Sequence, residues 1–394
     1  MKVLSFLFVI QLSLSAEFIV KMEDLKAKKQ LGLKGQMTAL VENEFYLFNG
    51  EEKDLLIDGV EYYEPNKRYH LFKDSDFDKQ WGLHNTGMNS SFEGVKGVKG
   101  RDIEALKAWK LEEGSSEIKI AVIDTGVDYT HIDLKNNILI NEKEQNGKKG
   151  VDDDGNGFID DIYGWDFVNN DNDPMDDFFH GTHCAGVIGA LHNGKGVQGV
   201  MKNVKILPLK FISKFNYGST ADAIRSIDYA LKRGVHIMSN SWGGSPRSQA
   251  LFDMIKKAEG EGVLFVAAAG NSSQNLDLKP VYPASYKISN VMTVGATDGR
   301  GLKAGFSNYG KDTVHIFAPG VKILSTVQKG YYARFSGTSM SAPFVSGVAG
   351  LLLSQDSSLS PAELKARMMD STRFDRDLEK FGRAGLLSAH GSLK

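Results

Sequence analysis

Apolar residues gather along this chain in short, nearly continuous runs separated by amphipathic stretches. Runs at 118–124, 204–209, 235–240, 263–268, 291–296 and 314–318 are apolar and rich in Val and Ile. Runs of this length and composition predict strands buried on both faces, as in parallel sheets. Apolar residues recur at helical spacing over 180–192, 219–232, 247–260, 340–354 and 361–370. Ser360 before Pro361 marks the start of the last of these, a capping residue followed by one suited to the first helical position. Strands alternating with helices predict an α/β fold: a mostly parallel, twisted sheet with helices on both faces.

Residues 17–72 break this pattern. Short alternating segments at 17–21, 44–48 and 60–63 predict strands, and the basic stretch 24–31 predicts a helix. A small α+β region therefore precedes the α/β body. Ahead of it, Lys2 is followed by a mostly apolar stretch, 3–14, too short to span a bilayer comfortably, with the small residues Ser13, Ser15 and Ala16 around its end. This is the pattern of an export signal over residues 1–15, with a membrane anchor as the alternative. The single cysteine excludes an intrachain disulfide, so an exported fold needs another source of stability. The net charge of −2 gives no reason to expect nucleic acid or a polybasic membrane contact.

Three polar residues stand where such a fold concentrates chemistry. Asp124 ends an apolar strand and is followed by Thr125-Gly126; ligands bind at the carboxyl edge of open α/β sheets. His180 opens the helix-like block His180-Gly181-Thr182-His183-Cys184. Ser339, in Ser336-Gly337-Thr338-Ser339-Met340-Ser341-Ala342-Pro343, opens a helix with small neighbours that would let a carbonyl approach. Alone, each has an ordinary reading as a turn, cap or solvated residue. Together they supply a nucleophile, a base and a group that orients the base.

These three blocks resemble the signatures of the subtilisin-like serine proteases, the subtilase family, in the order Asp, His, Ser, with the resemblance running over about residues 74–389. It implies that Ser339 attacks the scissile carbonyl, His180 moves the proton and Asp124 orients His180. Asn271, after the strand at 263–268, matches the family's oxyanion-hole amide. Ser241, Trp242 and Gly243 match the substrate-pairing segment, with Ala268, Ala269 and Gly270 along the pocket for the residue before the cut. No acid occupies these positions, and Ser272 and Val281 are the expected neighbours; an apolar or aromatic residue is therefore expected before the cut. The resemblance also implies that residues 16–72 are a propeptide, acting as folding helper and intramolecular inhibitor. Cleavage would fall between Phe72 and Lys73, leaving a mature catalytic domain of residues 73–394 with a neutral to alkaline optimum.

Structural calcium is the expected cofactor. The run Asp152-Asp153-Asp154-Gly155-Asn156-Gly157 places hard oxygens on alternate residues around glycine turns, with Asp152, Asp154 and Asn156 as ligands and Asp160 or Asp161 to close the loop. The resemblance implies two further sites. One takes the Asn193 side chain, the carbonyls of Leu191, Lys195 and Val197, and the carboxylates of Asp133 and Asp74. The other takes Asp166 and Asp171. The partners expected are protein or peptide substrates, with the chain a secreted monomer. The alternative is a non-catalytic relative whose propeptide never leaves the cleft. A lipase-like enzyme would need a Gly-x-Ser-x-Gly elbow, which Ser339 lacks.

Overall fold

The computed structural model describes residues 16–22, 25–41, 45–65, 76–91, 94–373 and 377–394. The expected signal, 1–15, and Phe72, Lys73 and Asp74 lie outside the described residues. The chain divides into two compact units, Met1–Leu71 and Phe72–Lys394.

In the first unit, β1 (Ala16–Met22), α1 (Leu25–Gly32), β2 (Gln36–Val41), β3 (Phe45–Gly50) and β4 (Val60–Pro65) follow one another. The strands form an antiparallel sheet in the order β2-β3-β1-β4. Phe18, Val20 and Met22 alternate along β1 and are buried with Tyr46 and Phe48 of β3 and Ala27 and Leu31 of α1. The two-residue period puts all of these strand residues on one face. β2 has no counterpart among the expected strands, because Thr38, Ala39 and Leu40 are exposed and it pairs only with β3.

The second unit is built on β5 (Gly114–Asp124), β6 (Trp165–Asp166), β7 (Asn203–Lys210), β8 (Ile237–Asn240), β9 (Leu264–Ala268), β10 (Val291–Thr297) and β11 (Ile316–Pro319). They form a seven-stranded sheet in the order β11-β10-β9-β8-β5-β7-β6, parallel throughout. α2 (Ala105–Ala108) precedes the sheet and α3 (Glu142–Gln145) lies in the long β5–β6 connection. The major helices are α4 (His180–Gly189), α5 (Thr220–Lys232), α6 (Gln249–Gly260), α7 (Thr338–Gln355) and α8 (Pro361–Asp370), with the short α9 (Ala389–Ser392) near the end. A hairpin of β12 (Ile323–Val327) and β13 (Tyr331–Phe335) stands apart from the sheet.

β5 explains the layering. Ile118, Ile120 and Val122 join the core that holds α4 and α7, whereas Ala121 and Ile123 join the core that holds α5 and α6. One strand thus feeds both cores by alternation, which is why it reads as continuously apolar. The helix starts follow local chemistry. Ser219 and Ser248 accept hydrogen bonds from Asp222 N and Leu251 N at the starts of α5 and α6. Ser360 and Glu363 form a reciprocal capping box on α8. α4 ends earlier than its apolar run suggests, because Ala190 turns to extended backbone and opens the loop after it.

Candidate active site

The carboxyl end of β5 delivers Asp124, which is 1% exposed. Its Oδ1 accepts from His180 Nδ1 at 2.7 Å and from Thr125 N at 2.8 Å. His180 is the first residue of α4, and the helix must come close to the strand end to place it there. A Cβ at Gly181 would stand 2.0 Å from the Gly126 carbonyl oxygen and 3.1 Å from Asp124 Cβ, so only glycine allows this approach. Asp176 holds the turn before the helix, accepting from Phe178 N, Phe179 N, Thr182 N and the hydroxyls of Thr125 and Thr182. Burial alone would push the His180 pKa down. The Asp124 charge and hydrogen bond, with Asp176 behind them, outweigh burial and raise it above the ordinary 6.5.

Ser339 is the second residue of α7, with Pro343 four residues on. Proline has no N–H, so the Ser339 carbonyl loses its usual helical partner. The gap is filled from outside the helix: Ser241 Oγ donates to that carbonyl at 2.9 Å and Cys184 Sγ at 3.4 Å. Burial pushes the Cys184 thiol well up, which keeps it protonated and donating rather than nucleophilic. Ser339 Oγ itself donates to the Ser241 carbonyl at 3.1 Å. No bond joins it to His180 here, and catalytic hydrogen bonds are often unformed before substrate binds.

Asn271 follows β9, and its Oδ1 accepts from Thr338 N at 2.8 Å and Thr338 Oγ1 at 3.0 Å. These bonds fix the amide with Nδ2 beside Gly337. A Cβ at Gly337 would lie 3.3 Å from Asn271 Nδ2 and 3.6 Å from Ser339 N. Two donors therefore converge on a space that glycine leaves clear, the geometry of an anion-stabilising pair.

His180, Ser339 and Asn271 line a cleft of about 830 Å³. Ser241, Trp242, Gly243, Ala268 and Gly270 line it as expected, and so do Ser272 and Val281. Ala269 does not: it is fully buried in the core with Ala267, one residue out of phase with Ala268, and extended backbone sends neighbours to opposite faces. Part of the lining was missed in the sequence. Asn216, Tyr217, Gly218 and Ser219 form it, with Tyr217 72% exposed; an exposed aromatic in a glycine-containing loop is its only signal.

The candidate metal residues fall into three arrangements. Asp133 is fully buried, and its oxygens accept from Asn193 Nδ2, Val197 N and the Tyr332 hydroxyl, all neutral donors. Leu191 N donates to the Asp133 carbonyl and Lys195 N to Asn193 Oδ1, so the 191–197 loop wraps this carboxylate. A fully buried carboxylate with only neutral donors about it carries a charge that a hard cation would offset. In the second loop, ligand oxygens of Asp152, Asp154 and Glu144 lie within 4.8 Å of one another. Glu144, from α3, was not foreseen; it accepts from Asp153 N, Asp154 N and Asp160 N. Asn156 holds Asp154 and Asp161, while Asp161 is buried against Asn141 and the Tyr229 hydroxyl. Asp160 binds Gly150 N instead of closing the loop. In the third, Asp166 is spent on Val168 N, Asn169 N and Asn169 Nδ2, with Lys210 at 3.6 Å, and Asp171 accepts from Asp173 N. A carboxylate turned inward beside a lysine does not fit a cation there.

Residues 115–391 match the Peptidase_S8 family, the subtilases. The chain is 33% identical over 328 residues to subtilisin-like protease 1 of Plasmodium falciparum, covering 77% of this chain and 45% of that protein. It is 40% identical over 249 residues to a thermophilic serine proteinase of Bacillus sp. strain AK1, covering 63% of this chain and 55% of the relative. The chain thus spans about half the length of these curated relatives. A solved cold-adapted subtilisin-like serine proteinase superposes with a TM-score of 0.58 at 30% identity, over 70% of this chain and 89% of that one. A protease of Pseudoalteromonas arctica superposes with a TM-score of 0.64 at 26% identity, over 82% and 98%. With the family match covering most of the second unit, and Asp124, His180 and Ser339 gathered at one sheet edge, the chain belongs to the subtilase family.

Proposed function

We propose that the chain is a secreted serine endopeptidase, made with residues 16–72 as an inhibitory propeptide and maturing to residues 73–394. The observation that carries this reading is the convergence of Asp124, His180, Ser339 and Asn271, from four separate segments, on one cleft. A peptide would lie extended between the Tyr217–Ser219 wall and the Ser241–Gly244 wall. Ser339 Oγ turns from the Ser241 carbonyl toward His180 and attacks the scissile carbonyl. His180 takes the hydroxyl proton at Nε2, and Asp124 stabilises the resulting imidazolium. The oxyanion sits between Asn271 Nδ2 and Ser339 N. The same proton then passes to the leaving amine, and water releases the acyl group by the reverse sequence. Among the described lining residues there is no Asp or Glu, which supports apolar or aromatic residues before the cut.

Calcium is proposed at two places, the Asp133–Asn193 loop and the Glu144–Asp152–Asp154 cluster, where it would offset buried or clustered carboxylate charge and tie loops together.

The test is intact mass and N-terminal sequencing of the purified wild type and Ser339→Ala. The wild type should begin at Lys73, cut after Phe72, and hydrolyse peptides. The variant should stay uncut and lose turnover by about 10⁶-fold, a loss already known for this family. If both chains stay intact and inactive, the propeptide-locked, non-catalytic reading takes over.

A further inference from the structure

The catalytic residues occupy the carboxyl edge of the parallel sheet. At the opposite edge, by the amino ends of β10 and β11, lies a second cavity of about 490 Å³. Lys365 of α8, His315 just ahead of β11, and Arg383 line it. His315 Nδ1 accepts the Thr293 N–H at 3.0 Å, so the neutral ring carries its proton on Nε2. That nitrogen stands 3.4 Å from Lys365 Nζ, which also donates to the Val291 carbonyl. An N–H and an ammonium therefore face each other with no acceptor between them. Among the described residues, the exposed Arg383 guanidinium has no hydrogen-bond or ion-pair partner.

The nearby acids do not answer this charge. Glu259, the acid that acts on Lys365, is already bonded to Lys256 and to Ser289. Asp312 lines the cavity but makes no ion pair with Lys365 or Arg383. Burial, reinforced by Arg383, draws the Lys365 pKa down to about 8. Burial, with Lys365 and Arg383 beside it, draws His315 to about 3. In both, burial is the larger cause, and the neighbouring cations act in the same direction.

We propose that this cavity binds a small oxyanion, a carboxylate or a tetrahedral sulfate- or phosphate-like group, held by Lys365 Nζ, His315 Nε2–H and the Arg383 guanidinium. One oxygen set between Lys365 and His315 accepts from both donors, and Arg383 closes over a second oxygen. Charge-assisted bonds of this kind are the strong ones, and the arginine fork suits either shape of anion. The site is separate from the peptide cleft and independent of the proposed hydrolysis.

The test is isothermal titration calorimetry of the full chain carrying Ser339→Ala, which prevents self-digestion. Sodium sulfate and sodium acetate are titrated separately, each against sodium chloride at equal ionic strength. Saturable heat is expected from sulfate or acetate and none from chloride, and the tighter of the two distinguishes a tetrahedral ligand from a carboxylate. Lys365→Met keeps the buried aliphatic stem and should weaken binding at least about tenfold. Arg383→Gln changes an exposed side chain and should weaken it by a smaller factor, which keeps the test open if Lys365→Met fails to fold. No saturable heat with either anion, or parent affinity in both variants, overturns the proposal.

Discussion

The two compact units cover their sheets differently. In the first, one face of an antiparallel sheet meets α1, and the described core is eight buried side chains. In the second, β5 divides its side chains between two cores, one on each face. A sheet buried on both faces has no tolerant side for polar residues, so they collect where strands end. Asp124 is the result: a carboxylate carried to the rim by an apolar strand. The one-faced sheet has no such rim and leaves Leu40 51% exposed on β2. A small unit also buries a smaller share of its surface than a large one. The first unit is therefore expected to yield first.

That ordering can be broken by mutation. Phe48 is fully buried at the centre of the first core. Phe48→Ala should cost about 3–5 kcal/mol, comparable to the whole stability of a unit this small. Hydrogen exchange on the Ser339→Ala chain should show β1 and β3 amides unprotected while β5 and β8 stay protected. Simultaneous loss in both units would end the comparison. The next effect comes from calcium. Excess chelator should lower the melting temperature of the second unit and spare the first, with about 2.7 kcal/mol lost if calcium was present at 100 times its dissociation constant. An unchanged melt would remove calcium from the account.

Acid has an effect comparable to that of calcium. His183 is fully buried, its Nε2 donating to the Ile323 and Ala333 carbonyls, and burial holds its pKa at about 3. The folded state refuses a proton that the unfolded state accepts below the ordinary 6.5. Stability from this group is thus complete above that value and is lost as pH falls, by about 1.4 kcal/mol per pH unit. Other buried groups add their own slopes, so the readout is the difference between the wild type and His183→Asn. That difference should shrink by about 1.4 kcal/mol per unit between about pH 6 and pH 4 in chemical denaturation. A constant difference would mean that His183 titrates normally. Residues 16–65 contain no histidine, so the described sheet of the first unit adds no histidine term to this slope.

Elements were legible where one residue type fixed them locally. α8 matches its sequence range because Ser360, Pro361 and Glu363 set its start. The hairpin of β12 and β13 was not foreseen, since Tyr331–Phe335 is mostly half-exposed and its partner lies outside the sheet. The site behaved in the same way. Asp124, His180 and Ser339 each carry a local signature, and the structure places the first two in direct contact. Contacts made across long stretches of chain left no such trace. The Asp176 bond to Thr125 spans 51 residues, and the Glu144 bonds to the acidic loop span 9 to 16. The small residues around Ser339 signalled room for a carbonyl, whereas the close approach that requires glycine at 181 left no such trace.

Pro343 links three positions that lie far apart in sequence. Restoring an N–H there would offer the Ser339 carbonyl a helical partner in competition with Ser241 Oγ and Cys184 Sγ. Filling the gap from within the helix would compete for the acceptor of the Ser241 hydroxyl and leave Cys184 Sγ with only that hydroxyl, while losing both donors would strand the carbonyl. Residues 184, 241 and 343 therefore behave as one heritable unit: single changes carry penalties that a compensating change can relieve, so the order in which mutations arrive decides which sequences this turn of helix can reach.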